Sequence, residues 1–218
     1  MRNLYQEQLW NLNQELIQMG AACEEIIDLA AQSLTDYSEQ LEEKTAQVGA
    51  VIDESERTIE NVCLKLLLRQ QPVAKDLRQI SAAMKMITDM ERIGDQAEDI
   101  VDLVPKMKHG SGENYLKIRE MAKSARYMVT EAVNAFVRQD QVLAKTVTDY
   151  DDVVDNYFNR IKGDILDFIA ANPGEGEYAL DLLMVAKYFE RIGDHATNIA
   201  EWVVFSVTGV HKDLEDSE

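Results

Sequence analysis

Core-side positions from Leu9 onward fall at Leu12, Leu16, Met19, Cys23, Ile26, Ala30, Ser33 and Tyr37, in alternating steps of three and four residues. That spacing keeps one stripe facing inward along a long helix of the kind found in bundles. The same stripe returns 99 residues later at Ile118, Ala122, Ala125, Val129, Ala132 and Phe136. The first helix is expected to end in a turn between Ser38 and Thr45. A second helix then carries Val48, Ile52, Ile59, Val62 and Leu66, matched in the second half by Val147, Asp151, Phe158, Ile161 and Ile165. Asp151 is the misfit in that stripe, and Tyr150 and Val154 are expected to carry the packing around it. Asp140 has the chemistry of an N-cap for the second half's copy of this helix. Pro72 and Asn172-Pro173-Gly174 break the pattern before a third helix in each half.

Each third helix contains a ten-residue stretch that occurs twice. Glu91-Arg92-Ile93-Gly94-Asp95-Gln96-Ala97-Glu98-Asp99-Ile100 returns as Glu190-Arg191-Ile192-Gly193-Asp194-His195-Ala196-Thr197-Asn198-Ile199, with seven of ten positions identical. At about 100° per residue, Ile93, Ala97, Ile100 and Val104 share one side of the helix, while Glu91, Asp95, Glu98 and Asp102 share the other. In the second copy Ile192, Ala196, Ile199 and Val203 oppose Glu190, Asp194, Asn198 and Glu201. The repeat runs without a gap from about Leu16–Val104 to Tyr115–Val203.

The expected fold is therefore all-α: two tandem antiparallel three-helix bundles related by internal duplication, over residues 1–108 and 113–210. His109-Gly110-Ser111-Gly112 is the linker, and residues 211–218 form an acidic tail without fixed structure. Helices of about 30 residues run about 45 Å, so an elongated molecule is expected.

Composition agrees with helix nearly throughout, with 46% apolar residues and only ten Gly and three Pro in 218. The formal charge of −18 changes the functional picture. Nucleic acid and anionic lipid are bound through Lys and Arg, so an acidic surface points to cations or basic partners instead, or simply to solubility. No apolar run approaches the about 20 residues that span a bilayer, and Met1-Arg2-Asn3-Leu4 opens no signal peptide. A cytoplasmic location is expected. Cys23 and Cys63 lie among apolar positions without metal-type spacing, as buried free thiols do.

Helices two and three of each half form a hairpin, which sets residues at equal distance from the turn side by side. Asp53 and Glu91 are both 19 residues from Pro72, and Asp152 and Glu190 are both 19 from Ala171. Asp53, Glu56 and Glu60 form an acidic edge beside the core stripe, echoed by Asp152, Asp155 and Asn159. In both halves a short acidic cluster thus faces Glu-x-x-x-Asp. Such oxygen-rich sets suit hard or borderline cations, and without one the carboxylates repel and raise each other's pKa values. A solvated acidic face is the plainer reading of any one such stripe; recurrence at the same level in both halves favours the cation. Gly94 and Gly193, mid-helix at a cost of about 1 kcal/mol each, imply a close approach, most simply by the neighbouring helix. Arg92 and Arg191 suit surface pairs with the Asp three residues on. His195 lies off the acidic stripe and its counterpart is Gln96, which argues against a ligand role.

The motif Glu190-Arg191-Ile192-Gly193-Asp194-His195-Ala196-Thr197-Asn198-Ile199-Ala200-Glu201, with its partial copy at Glu91–Ile100, resembles the signature of the PhoU family of phosphate-uptake regulators. The resemblance covers essentially the whole chain. It implies a cytoplasmic all-α protein of two three-helix bundles, often a homodimer, that acts as a negative regulator of the phosphate-starvation response. It also implies partners: the ATPase subunit of a phosphate ABC transporter and a membrane sensor histidine kinase. Metal clusters held by Glu/Asp-x-x-x-Asp motifs in some members would fall here on Asp53, Glu56, Glu91 and Asp95, and on Asp152, Asp155, Glu190 and Asp194. The metal is open among iron, manganese, zinc, magnesium and calcium. Asn198 and Asn159 stand where the first half has Asp99 and Glu60, so the halves need not bind metal equally. No nucleophile–base set can be assembled from three His and two Cys. A di-iron carboxylate enzyme would need Glu-x-x-His on two helices, yet Lys106, Ile192 and Thr208 precede the three histidines at that spacing. A generic helical metal-binding scaffold is the remaining alternative.

Overall fold

The computed structural model describes residues 2–70, 72–107 and 115–210. Among the described residues six helices follow in chain order: α1 (Arg2–Asp36), α2 (Glu39–Gln70), α3 (Ala74–Leu103), α4 (Tyr115–Arg138), α5 (Gln141–Ala171) and α6 (Gly176–Thr208). Short 3-10 turns occupy Val104–Lys106 and Pro173–Glu175, and no strand occurs among the described residues. The predicted linker 109–112 and tail 211–218 lie outside the described residues.

Each half is an antiparallel three-helix bundle whose inner stripe is the one expected. Leu12, Leu16, Met19, Cys23, Ile26 and Ala30 of α1 are buried, as are Ile118, Ala122, Ala125, Val129, Ala132 and Phe136 of α4. The first turn comes slightly earlier than expected, at Tyr37 and Ser38. Ser38 decides it, because its Oγ accepts a hydrogen bond from the Leu41 N–H at 3.2 Å and so starts α2. Asp140 caps α5 as expected, accepting from the N–H groups of Val142 and Leu143 at 2.9 and 3.0 Å. Cys23 and Cys63 are free and buried, and burial pushes both thiols up to about 12.

The two bundles lie side by side. The most extensive contact between any two helices is that of α3 with α6, and α1 also packs on α4. Both contacts are antiparallel: Arg78, near the start of α3, lies against Gly209 at the end of α6, while Asp89 meets His195 and Asn198. Ile93, Ala97 and Ile100 of one copy of the motif, and Ile192, Ala196 and Ile199 of the other, are fully buried. Gly94 and Gly193 face the neighbouring helix of their own hairpin. A Cβ on Gly94 would stand 3.2 Å from Ile52, and one on Gly193 would stand 3.2 Å from Val154. A large side chain there would push the hairpin open. Gly193→Leu is expected to lower stability by about 2–3 kcal/mol, and Asp140→Ala by about 1 kcal/mol, both read from urea unfolding followed by circular dichroism.

Candidate functional site: paired carboxylate clusters

The hairpin register that seats Gly94 on Ile52 also sets the acids of α2 beside those of α3. Asp53 lies within electrostatic reach of Glu56, Glu91 and Glu98. Burial is the first cause of a raised pKa at Glu56, followed by the charges of Glu60 and Asp53. At Glu91 burial is followed by Asp95, with Glu56 and Asp53 adding and Arg92 opposing. Glu98 is raised by burial and then by Asp53, Asp95, Asp102 and Asp99. It lies over Gly49, where an added Cβ would collide with its Oε1. Any residue larger than glycine would therefore displace this carboxylate. Arg92 neutralises part of the cluster, with Nη1 2.8 Å from Asp95 and Nε 3.4 Å from Glu91.

The second half repeats the arrangement with one exchange. Asp151, Asp155, Glu190 and Asp194 come together: burial and then Asp155 and Asp194 push Asp151 up to about 6, with Glu190 adding. The Thr197 hydroxyl pulls slightly the other way, although it falls short of hydrogen-bond geometry. Asp194 is raised by burial and then by Glu190 and Asp155, with Lys187 and His195 opposing. Lys187 is ion-paired with Glu190. Asp152, the predicted partner of Glu190, is exposed, and none of these shifts is traced to it. Asp151 takes that place because it occupies the α5 position equivalent to Ile52, which faces the glycine of the motif. Asp151 Oδ1 would stand 3.6 Å from a Cβ on Gly193. The clue in the sequence was a carboxylate in a core stripe. Glu98 was legible only as one of four acids on a face.

His195 turns away from the cluster and toward the other bundle. Its Nδ1 lies 2.9 Å from Asp89 Oδ1, which also accepts a hydrogen bond from Asn198 at 3.1 Å. Arg92 makes the expected pair with Asp95, whereas Arg191 acts across the bundle contact on Asp99 and within α6 on Tyr188. Among the described residues no group of three or more His, Cys, Asp or Glu side chains converges closely enough to hold an ion. The carboxylates instead spread toward Arg92 and Lys187. Their chemistry nevertheless fits a hard cation, since a positive charge between them would offset the burial and the mutual repulsion that raise five of them: Glu56, Glu91, Glu98, Asp151 and Asp194.

A match to the family described as the PhoU domain covers residues 16–104 and again 118–203, one copy for each bundle. The chain belongs to the PhoU family. It is 32% identical over 217 residues to a phosphate-specific transport system accessory protein PhoU homolog of Clostridium acetobutylicum, covering 99% of both chains. A homolog of the same description from Synechocystis is 34% identical, with 95% and 93% covered. The crystal structure of PhoU from Pseudomonas aeruginosa superposes with a TM-score of 0.88 at 31% identity, over 94% of this chain and all of that one. A PhoU structure from Streptococcus pneumoniae, 22% identical, shares the fold with a TM-score of 0.86, over 95% and 98%. The two PhoU units are thus the two bundles, and the carboxylate clusters lie one in each.

Because the folded chain holds the Asp151 proton more tightly than the unfolded chain does, this group favours folding at low pH. That contribution is lost as the pH rises from the ordinary aspartate range through about 6. Asp151→Asn is expected to raise the unfolding free energy near neutral pH by about 1 kcal/mol, allowing for solvent screening of a half-buried group. The gain should vanish near pH 4, about where an unperturbed aspartate titrates, as urea titrations at the two pH values would register.

Proposed function

We propose that this chain is a cytoplasmic, non-enzymatic regulator of phosphate uptake and phosphate signalling. In this reading it is a negative regulator that links the ATPase subunit of a phosphate ABC transporter to a sensor histidine kinase, acting as a homodimer. The observation that carries the reading is the match along nearly the full length to proteins named as phosphate-specific transport system accessory proteins. No helix of the described residues is long and apolar enough to cross a membrane. An adaptor working from the surface of a transporter needs none. The reading predicts that pull-down with the full chain at high phosphate recovers transporter and kinase components, and that deleting its gene raises a phosphate-starvation reporter in phosphate-rich medium. Absence of both effects would overturn it.

The same reading assigns cation binding to the two clusters. Asp53, Glu56, Glu91 and Asp95 would hold the ion in the first half. Asp155, Glu190 and Asp194, with Asp151 beside them and Asp152 at the edge, would do so in the second. The cation would supply positive charge between α2 and α3, or between α5 and α6, in place of the partial neutralisation by Arg92 and Lys187. The support is the recurrence of crowded, pKa-raised carboxylates at one level of both hairpins. Elemental analysis of the purified chain is expected to lose one bundle's metal in Glu91→Ala/Asp95→Ala and the other's in Glu190→Ala/Asp194→Ala, with helicity unchanged. Metal in the second bundle should be released as the pH falls and its carboxylates take up protons.

A further inference from the structure

A glycine inside a helix costs stability relative to alanine, and its usual return is that something can come close. Five glycines stand in helix interiors among the described residues: Gly20, Gly49, Gly94, Gly163 and Gly193. An added Cβ would press on Val133 at Gly20, on Glu98 at Gly49, on Ile52 at Gly94 and on Val154 at Gly193. Each of those four therefore faces another helix of the same chain. Gly163 does not: nothing lies within 4 Å of a Cβ built there, and the residue is exposed on the outer side of α5. Its own chain offers no reason for a glycine.

The side chains around Gly163 form a face of their own. At about 100° per residue, Asn156, Asn159, Gly163, Leu166 and Ala170 fall on one outward strip. All five are exposed, Leu166 at 61%. Arg160 and Asp167 flank the strip on one side and Lys162 on the other, and none of these three has an ion pair among the described residues. Asp164 is already paired with Lys117 of α4. Residues 156–170 carry Arg160 and Lys162 against Asp164 and Asp167, so this stretch is neutral in a chain of −18. In the first half Asn61, Leu64 and Leu68 stand where α5 has Arg160, Gly163 and Asp167. The face therefore belongs to the second bundle alone.

We propose that this face of α5 docks on the same face of a second copy of the chain, the two helices running antiparallel across a twofold axis beside Gly163. Such a contact is self-complementary. Arg160 lies three residues before Gly163 and Asp167 four after it, on the same flank, so each Arg160 meets the partner's Asp167. At the axis Gly163 meets its own copy, where the missing side chains let the two helices approach closely. On the other flank Leu166 lies over the partner's Asn159 and the aliphatic stem of the partner's Lys162. A neutral strip also escapes the repulsion that two surfaces of the chain's average charge would feel. One helix pair is small for a permanent dimer, so the association is reversible. This assignment rests on the homodimeric part of the proposed regulatory role and supplies the surface for it.

The test is sedimentation equilibrium of the full chain over the micromolar range, where a monomer–dimer equilibrium is expected. Arg160→Asp sets an acid against the partner's Asp167 and should weaken association about tenfold or more. Adding Asp167→Arg to it restores the opposite charges and should restore association, a rescue that a merely structural role would not give. Gly163→Leu should also weaken association about tenfold or more. At a concentration where the chain is monomeric it should raise the melting temperature, since leucine is the better helix former, which separates loss of docking from loss of fold. Asp149→Asn, two turns or more from the contact on the same helix, should change nothing. A chain that stays monomeric throughout overturns the proposal together with the homodimer. A dimer that the α5 variants leave unchanged, or a double variant as weak as Arg160→Asp alone, overturns this face and leaves the homodimer standing. Pull-down of transporter and kinase components tests the regulatory role independently of these measurements.

Discussion

The burial of α3 against α6 is the contact on which the rest of the molecule depends. Each of these helices carries one copy of the repeated motif and has to satisfy three neighbours at once: the two other helices of its own bundle, one of them through the glycine, and the facing helix of the other bundle. An amphipathic helix on the outside of a bundle has one apolar face; these two need almost a whole circumference. Gly193, Ile192, Ala196, Ile199 and Ala200 are all buried, which leaves the acids of the motif only a narrow strip. Crowding of the carboxylates follows from that narrowing.

The pairing of two copies of one sequence is close to a local twofold arrangement, and its departures are informative. The contact of Asp89 with His195 and Asn198 has as its counterpart Tyr188 with Gln96 and Asp99, each shifted by the 99-residue repeat. On one side the polar groups are joined by hydrogen bonds. On the other, Gln96 is buried and its Oε1 has no hydrogen-bond partner, while Asp99 is raised by burial, Asp95 and Asp102 and eased by Arg191. Duplication placed the groups in register, and later substitution satisfied one side better than the other.

Much of this was legible in the sequence because it depends on periodicity. The steps of three and four identified all six inner stripes, and the constant offset identified the two bundles. Three features were not legible, for local reasons. The turn at Tyr37–Ser38 is only two residues long, and the core-side spacing runs through it without interruption. Asp152 was expected to face Glu190 from distance along the hairpin alone. Asp151 instead holds the inward position that Ile52 has in the first half, and a count of residues along the hairpin cannot show which face a side chain takes. The partner of His195 lies 106 residues away on the other bundle, and nothing in the spacing of either helix announces a contact between bundles.

Both cysteines of the chain, Cys23 and Cys63, are sealed in the first bundle, and the second has none. The molecule thus carries its own internal probe of one half. A thiol reagent can reach these sulfurs only when α1, α2 and α3 separate, so the rate of alkylation follows the opening of the N-terminal unit and is blind to its twin. Two units of one ancestry can in this way be told apart in solution without any label being introduced.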